Sequence, residues 1–281
     1  MRSSISSSTA PTEPISRADR VTDTLRISRP ADGVVLLTLN RPQVMNAIDM
    51  ALFGELTAAL GDFELDTEAR AIVVTGSGER AFSAGFDIHE MAGFDPAAMK
   101  AAFTKRDRLF WQVANHAKPI IAALNGATFG AGALMAAAAD IRLGSPSLRF
   151  KITASSYGAA NATWSLPPIV GVSKAKEILF TGRVVEAAEA LEIGLINQLV
   201  TDGPVADAAV AMAAMIAANP EDGVQGIKQL VNGLAGRSHQ AGYEAEFDWM
   251  TEHMKAAGSS GAQVFSGFLG KKTAQERAPS S

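Results

Sequence analysis

Between Pro119 and Asp140 the chain reads PIIAALNGATFGAGALMAAAAD, an apolar run with no charge until its last residue. Ile120 to Ala139 is long enough to suggest a membrane span, but Asn125-Gly126, Thr128, Gly130 and Gly132 interrupt it. It therefore reads as a short strand, a glycine turn and a buried Ala-rich helix. Small residues at a helix start leave the first N–H groups bare, so they can meet a developing negative charge. Four residues beyond Gly130, where an acid–base side chain could enter the same site, stands Leu134.

Around this segment, short apolar runs alternate with helical stretches, as in an α/β protein. Val34–Leu39, Ala71–Thr75 and Pro119–Leu124 read as strands, followed by short ones at Ile141–Leu143, Leu148–Ile152 and Leu195–Val200. Asp49 can cap a helix with Leu52, Leu56 and Leu60 on one face, and Asp95-Pro96 can open another that runs toward Val113. Ser173 is placed to cap the next helix, and Val185–Ile193 reads as a further helix stopped by Gly194. From Val205 to about Leu269 only helical patterns occur. The expected division is a disordered, Ser-rich leader over residues 1–22, an α/β core over 23–204 and a helical region over 205–281.

Composition removes several function classes. The 281 residues are 47% hydrophobic and carry a net charge of −4, which gives no electrostatic reason to expect nucleic acid. With no cysteine, disulfides and thiolate chemistry are excluded. The four histidines form no HxxxH pair and no carboxylate cluster has metal-ligand spacing. GxSxG is absent, Gly130-x-Gly132 lacks the third glycine of a dinucleotide fingerprint, and Gly267–Lys271 is not a Walker loop. No apolar signal-peptide core follows Met1, so a cytoplasmic protein with no membrane partner is expected.

Three segments that follow strands remain: LNRPQVMNAID (Leu39–Asp49), GSGERAFSAGFDIHEM (Gly76–Met91) and NGATFGAGALMAAAAD (Asn125–Asp140). In this order they resemble the LNRP…NA, FxAGxDhxEM and NGxxxGGGxEhxxxxD patterns of the enoyl-CoA hydratase/isomerase (crotonase) superfamily. VGVSKAKEILFTGRVVEAAEALEIGLINQLV (Val170–Val200) and the Phe268–Lys272 ending fit the same family, so the resemblance covers roughly residues 23–272.

The resemblance implies a crotonase-like spiral of ββα repeats with a C-terminal helical oligomerisation region, assembled as a trimer or a hexamer of paired trimers. It implies an acyl-CoA thioester as substrate, with no permanently bound cofactor. Two backbone N–H groups, here of Phe86 and Ala131, would hold the thioester oxygen as an enolate forms, a kind of site worth roughly 3–4 kcal/mol per donor. Val44, Asn46, Ala84, Asp87 and Ile88 occupy positions whose contacts to CoA come largely from backbone, and Lys271 and Lys272 stand where the family's basic pair approaches a CoA phosphate. Asp87 can equally cap the turn that follows it, and His89 is expected at the surface. The family's two hydratase glutamates correspond to Leu134 and Ala154, neither of which can carry a proton. Beyond them, SSYGAANATWSLPPIVG (Ser155–Gly171) is shorter than the family loop, and its Tyr157, Asn161 and Trp164 are candidate pocket residues. The expected protein is a lyase or isomerase on a CoA thioester with non-standard acid–base residues. The alternatives are a decarboxylase or C–C hydrolase of the same superfamily, and a catalytically inactive acyl-CoA-binding homologue.

Overall fold

A computed structural model describes residues 20–257 apart from 235. Its first strands are β1 (Arg20–Val21), β2 (Leu25–Ala31) and β3 (Val34–Leu39), followed by helix α1 (Met50–Leu65). Three repeats then share one plan. The first is β4 (Ala71–Gly76), β5 (Ala81–Ser83), the short α2 (Ile88–Met91) and α3 (Pro96–Asn115). The second is β6 (Ile120–Leu124), β7 (Ala127–Phe129) and α4 (Ala131–Ala138). The third is β8 (Ile141–Gly144), β9 (Arg149–Lys151), α5 (Pro167–Val170) and α6 (Val172–Thr181). With β10 at Val185–Glu186 and β11 at Gln198–Leu199, the first strand of each repeat joins a seven-stranded sheet of order β1-β2-β3-β4-β6-β8-β11, and the second joins a smaller sheet of order β10-β9-β7-β5. β4, β6 and β8 pair in parallel, as do β5, β7 and β9. Successive ββα turns therefore stack into a spiral, the architecture that the three motifs imply.

The central strands β3, β4, β6 and β8 of the large sheet are mostly buried, with cover on both faces, which is why they read as continuous apolar runs. Along β4, Ile72 and Val74 face one side with α1, α3 and α4, while Ala71 and Val73 face the other. On that second face α8 (Val205–Ala217) lays Val205, Ala209 and Ala213 against the sheet. α4 is buried along its whole length, as expected of a helix apolar on every side.

The structure revises several boundaries. The core does not end at residue 204, because α8 completes the second face of the sheet. The division falls inside α9 (Glu221–Asn232), between Gln225 and Gly226. The expected leader reaches too far, since Arg20 and Val21 pair with β2 and the Thr22 hydroxyl donates to the Leu25 carbonyl; residues 1–19 lie outside the described residues. α6 is capped by Gly171, at φ 78°, and not by Ser173, because α5 ends at that glycine and the next helix begins at once. Val185–Ile193 divides into β10 (Val185–Glu186), which pairs with β9, and α7 (Ala187–Glu192). The last strand shrinks to β11 (Gln198–Leu199). Asp49 and Asp95 cap α1 and α3 through bonds from the N–H groups of Leu52 and Ala98. In the second unit, α10 (His239–Ala257) brings the Trp249 indole against Gly226, where any β-carbon would collide with it.

Candidate active site

Two backbone turns meet at the centre of the first unit. One is the loop after β5. Its residues 84–87 run beside residues 45–48: the Ile48 N–H donates to the Gly85 carbonyl, and the Asp87 N–H donates to the Ile48 carbonyl. These bonds hold the peptides on either side of Phe86 and leave its own N–H without an acceptor among the described residues. Gly85 is required here. Its φ is 97°, and a β-carbon would lie 2.9 Å from the Phe129 carbonyl oxygen and 3.0 Å from the Ala131 nitrogen.

The other turn opens α4. Gly130, at φ 49°, donates its N–H to the Lys151 carbonyl and accepts from the Leu134 N–H. The N–H groups of Ala131, Gly132 and Ala133 therefore have no acceptor among the described residues, as helix geometry requires of a first turn. Gly132 keeps the helix close to β5, since a β-carbon would meet the Ser83 β-carbon at 2.7 Å. The middle position tolerates a methyl group, so Ala131 replaces a glycine without closing the turn. Loop and turn are in van der Waals contact, and each contributes an unpaired N–H beside the positive end of a helix dipole.

A salt-bridge clamp fixes the loop. Arg41 Nη1 donates to Asp87 Oδ2 at 2.9 Å and to the Ala47 carbonyl at 2.8 Å, while its Nε lies 3.2 Å from Asp49 Oδ2. Asp87 also accepts from the N–H groups of His89 and Glu90, capping α2. Burial pushes the Asp87 carboxyl up, but the Arg41 guanidinium and those N–H groups outweigh it and hold the carboxyl below its ordinary value. Asn46 is fully buried at φ 53°; its side chain bonds the Arg41 N–H and the Ser77 and Ala81 carbonyls. It shapes the loop and is not available as a ligand-contacting side chain. Val44 and Ile88, by contrast, are exposed apolar side chains on the two joined loops, and Ala84 is half-buried.

One helical turn beyond Ala131, roughly 4.5 Å along the axis, Leu134 lines a cleft of about 330 Å³. Phe110 and Trp111 of α3 line it too, as do Asn161 and Trp164. Trp111 and Trp164 pack with centroids 6.1 Å apart and planes tilted by 59°. Of the three expected pocket residues, the cleft gathers Asn161 and Trp164 but not Tyr157. The turn Ala154–Tyr157 closes at Gly158, at φ 75°, before the chain reaches the cleft wall, and Tyr157 stays exposed. Ala154 is buried, one residue past Thr153, whose hydroxyl would lie 3.5 Å from a β-carbon on Gly130.

Sequence reasoning missed Asp107, the one carboxylate that lines this cleft among the described residues. It lies on the α3 face that carries Phe103, Arg106, Phe110 and Trp111 at i, i+3, i+4, i+7 and i+8 spacing. The signal was present but resembles any helix edge. His89 is exposed, as expected, and Lys271 and Lys272 lie outside the described residues. Among the described residues no group of three His, Asp or Glu side chains is placed to hold a metal ion, and no helix is long and apolar enough to cross a membrane.

Comparison with known proteins gives this geometry its context. The chain is 33% identical over 202 residues to a short-chain-enoyl-CoA hydratase of Clostridium acetobutylicum, covering 71% of this chain and 77% of that protein. It is 30% identical over 259 residues to a 1,2-epoxyphenylacetyl-CoA isomerase of Escherichia coli, covering 89% and 97%. The crystal structure of an enoyl-CoA hydratase from Bacillus anthracis superposes with a TM-score of 0.83 at 26% identity, covering 89% of this chain and 96% of that one. The sequence pattern of the enoyl-CoA hydratase/isomerase family matches residues 29–275, and the chain belongs to that family.

Proposed function

We propose that the protein processes an acyl-CoA thioester, using the Phe86 and Ala131 N–H groups as an oxyanion hole and no hydratase glutamate pair. The observation that carries this reading is that the Phe86 and Ala131 N–H groups, neither with an acceptor among the described residues, meet where Gly85 approaches Gly130, beside a cleft that Leu134 lines. The thioester oxygen would accept from both donors. As a bond at the α-carbon breaks, its electron pair moves toward that oxygen, and fixed donors stabilise the enolate more than the ground state. Decarboxylation and C–C cleavage develop such an enolate, and thioester hydrolysis a tetrahedral oxyanion at the same oxygen, without that glutamate pair. Hydration of a simple enoyl-CoA needs groups that activate water and move a proton, and Leu134 and Ala154 offer neither.

Val44, Ala84, Asp87 and Ile88 would line the CoA moiety, with Arg41 and Asn46 holding their loops. Lys271 and Lys272 would meet a CoA phosphate, and the assembly expected of such a protein is a homotrimer or paired trimers. Calorimetry with CoA esters, run beside crotonyl-CoA hydration and malonyl-CoA decarboxylation, tests the reading. Binding with turnover on a non-hydratase substrate supports it. Robust crotonyl-CoA hydration would refute the inference from Leu134 and Ala154, and binding without turnover on a broad acyl panel would leave a binding protein.

A further inference from the structure

Resting on the acyl-CoA reading, we propose that the cleft selects an aryl acyl group that carries a hydrogen-bond donor, with Trp111 and Trp164 packing the ring and Asp107 accepting from the donor. Three observations combine. Trp111 and Trp164 are 63% and 51% exposed, so much of two large rings faces open space that a ligand can cover. Their tilt of 59° makes an angled wall, which suits a flat ring meeting one indole by its face and the other by its edge. At about 330 Å³ the cleft is small, near the lower end of ligand pockets at roughly 300–1,000 Å³. It lies one helical turn from Ala131, so a ring on a short spacer suits it better than a long alkyl chain.

Asp107 supplies the polar half. Its Oδ1 accepts from both Nε and Nη2 of Arg106 at 2.7 Å. Arg106 is itself buried, with its guanidinium 4.9 Å from the centre of the Phe103 ring, and Phe103 packs on Phe86 at 6.2 Å. The carboxylate is thus anchored through one oxygen, while Oδ2 has no partner among the described residues. The Asp107 side chain is 66% exposed, so a ligand that covers it must replace the water on Oδ2, which a hydroxyl does and a methylene does not. Asn161, which also lines the cleft, offers a second polar group to the same substituent.

The test compares non-reactive saturated esters by calorimetry: 3-(4-hydroxyphenyl)propionyl-CoA, 3-phenylpropionyl-CoA, octanoyl-CoA and free CoA. The wild-type protein should bind the hydroxyaryl ester about tenfold or more tighter than octanoyl-CoA, and several-fold tighter than the unsubstituted aryl ester. Asp107→Ala should bring the hydroxyaryl-to-aryl ratio close to one, and Trp164→Leu should remove the preference for aryl over octanoyl. Melting temperature and free-CoA affinity report whether each variant is folded. Equal binding of aryl and octanoyl esters, or variants that leave both ratios unchanged, would overturn this inference and leave the acyl-CoA reading standing. Failure of every CoA ester to bind would overturn both.

Discussion

Replacing Gly85 with alanine adds one carbon at the narrowest point of the site. At φ 97° alanine is strained, at a cost of about 1–3 kcal/mol. The new carbon would stand 2.9 Å from the Phe129 carbonyl oxygen and 3.0 Å from the Ala131 nitrogen, so the loop and the turn must part. Those are the two backbone segments that carry the proposed donors. Losing the alignment of one donor costs roughly 3–4 kcal/mol in comparable holes, or about 10²–10³ in kcat. Gly85→Ala should therefore lower kcat about a hundredfold or more on the acyl-CoA ester turned over fastest, and lower the melting temperature as well. Gly203→Ala separates the two effects: φ there is 81°, with nothing within 4 Å of an added β-carbon. It should carry similar backbone strain while kcat stays near wild type. A folded Gly85→Ala protein with wild-type kcat, or a Gly203→Ala protein with an equal loss, would refute the reasoning.

Restoring both carboxylates with Leu134→Glu and Ala154→Glu should create measurable crotonyl-CoA hydration; none in a folded, CoA-binding double variant would show that the pocket differs beyond those positions. Gly132→Ala should cost about 1–3 kcal/mol in urea unfolding, since its β-carbon would lie 2.7 Å from that of Ser83; an unchanged midpoint would contradict the close packing of α4 on β5. The depressed Asp87 carboxyl stabilises the fold above its unfolded pKa near 3.9, and that stability is lost as the pH falls through its lower folded value. Between about pH 5 and pH 2 the melting temperature of the wild type should therefore fall more steeply than that of Arg41→Met, and parallel profiles would show that Arg41 does not hold the carboxyl down.

The long apolar strands and the Asp49 and Asp95 caps were legible because each rests on a local rule: an unbroken apolar run, or an acceptor three residues before a bare N–H. The three-residue strands β5 and β7 are too short to show a period; β9 falls inside the strand read at Leu148–Ile152, but the pairing of all three is set by stacking of the repeats. Ser173 looked like a cap because the sequence does not reveal that α5 already occupies the preceding turn and hands the chain over at Gly171. The proposed donors Phe86 and Ala131 were reached through the family motifs. The bare N–H groups after Gly130 were legible as a helix start, whereas the lack of an acceptor for Phe86 became visible only once the bonds around Ile48 were traced. Asp107 shows the opposite limit. Its partner Arg106 is adjacent in sequence, yet only the packing of α3 beside the segment containing Asn161 and Trp164 turns an ordinary helix-edge carboxylate into a cleft residue.

The central claim is that two backbone N–H groups polarise a bound thioester carbonyl, and this can be observed without turnover. Isotope-edited infrared spectroscopy of a saturated acyl-CoA labelled with ¹³C at the thioester carbonyl measures it directly. The C=O stretch should move to lower frequency on binding the wild-type protein and return toward its solution value with Gly85→Ala. A wild-type complex whose carbonyl frequency equals that of the free ester in water would contradict the oxyanion hole at Phe86 and Ala131.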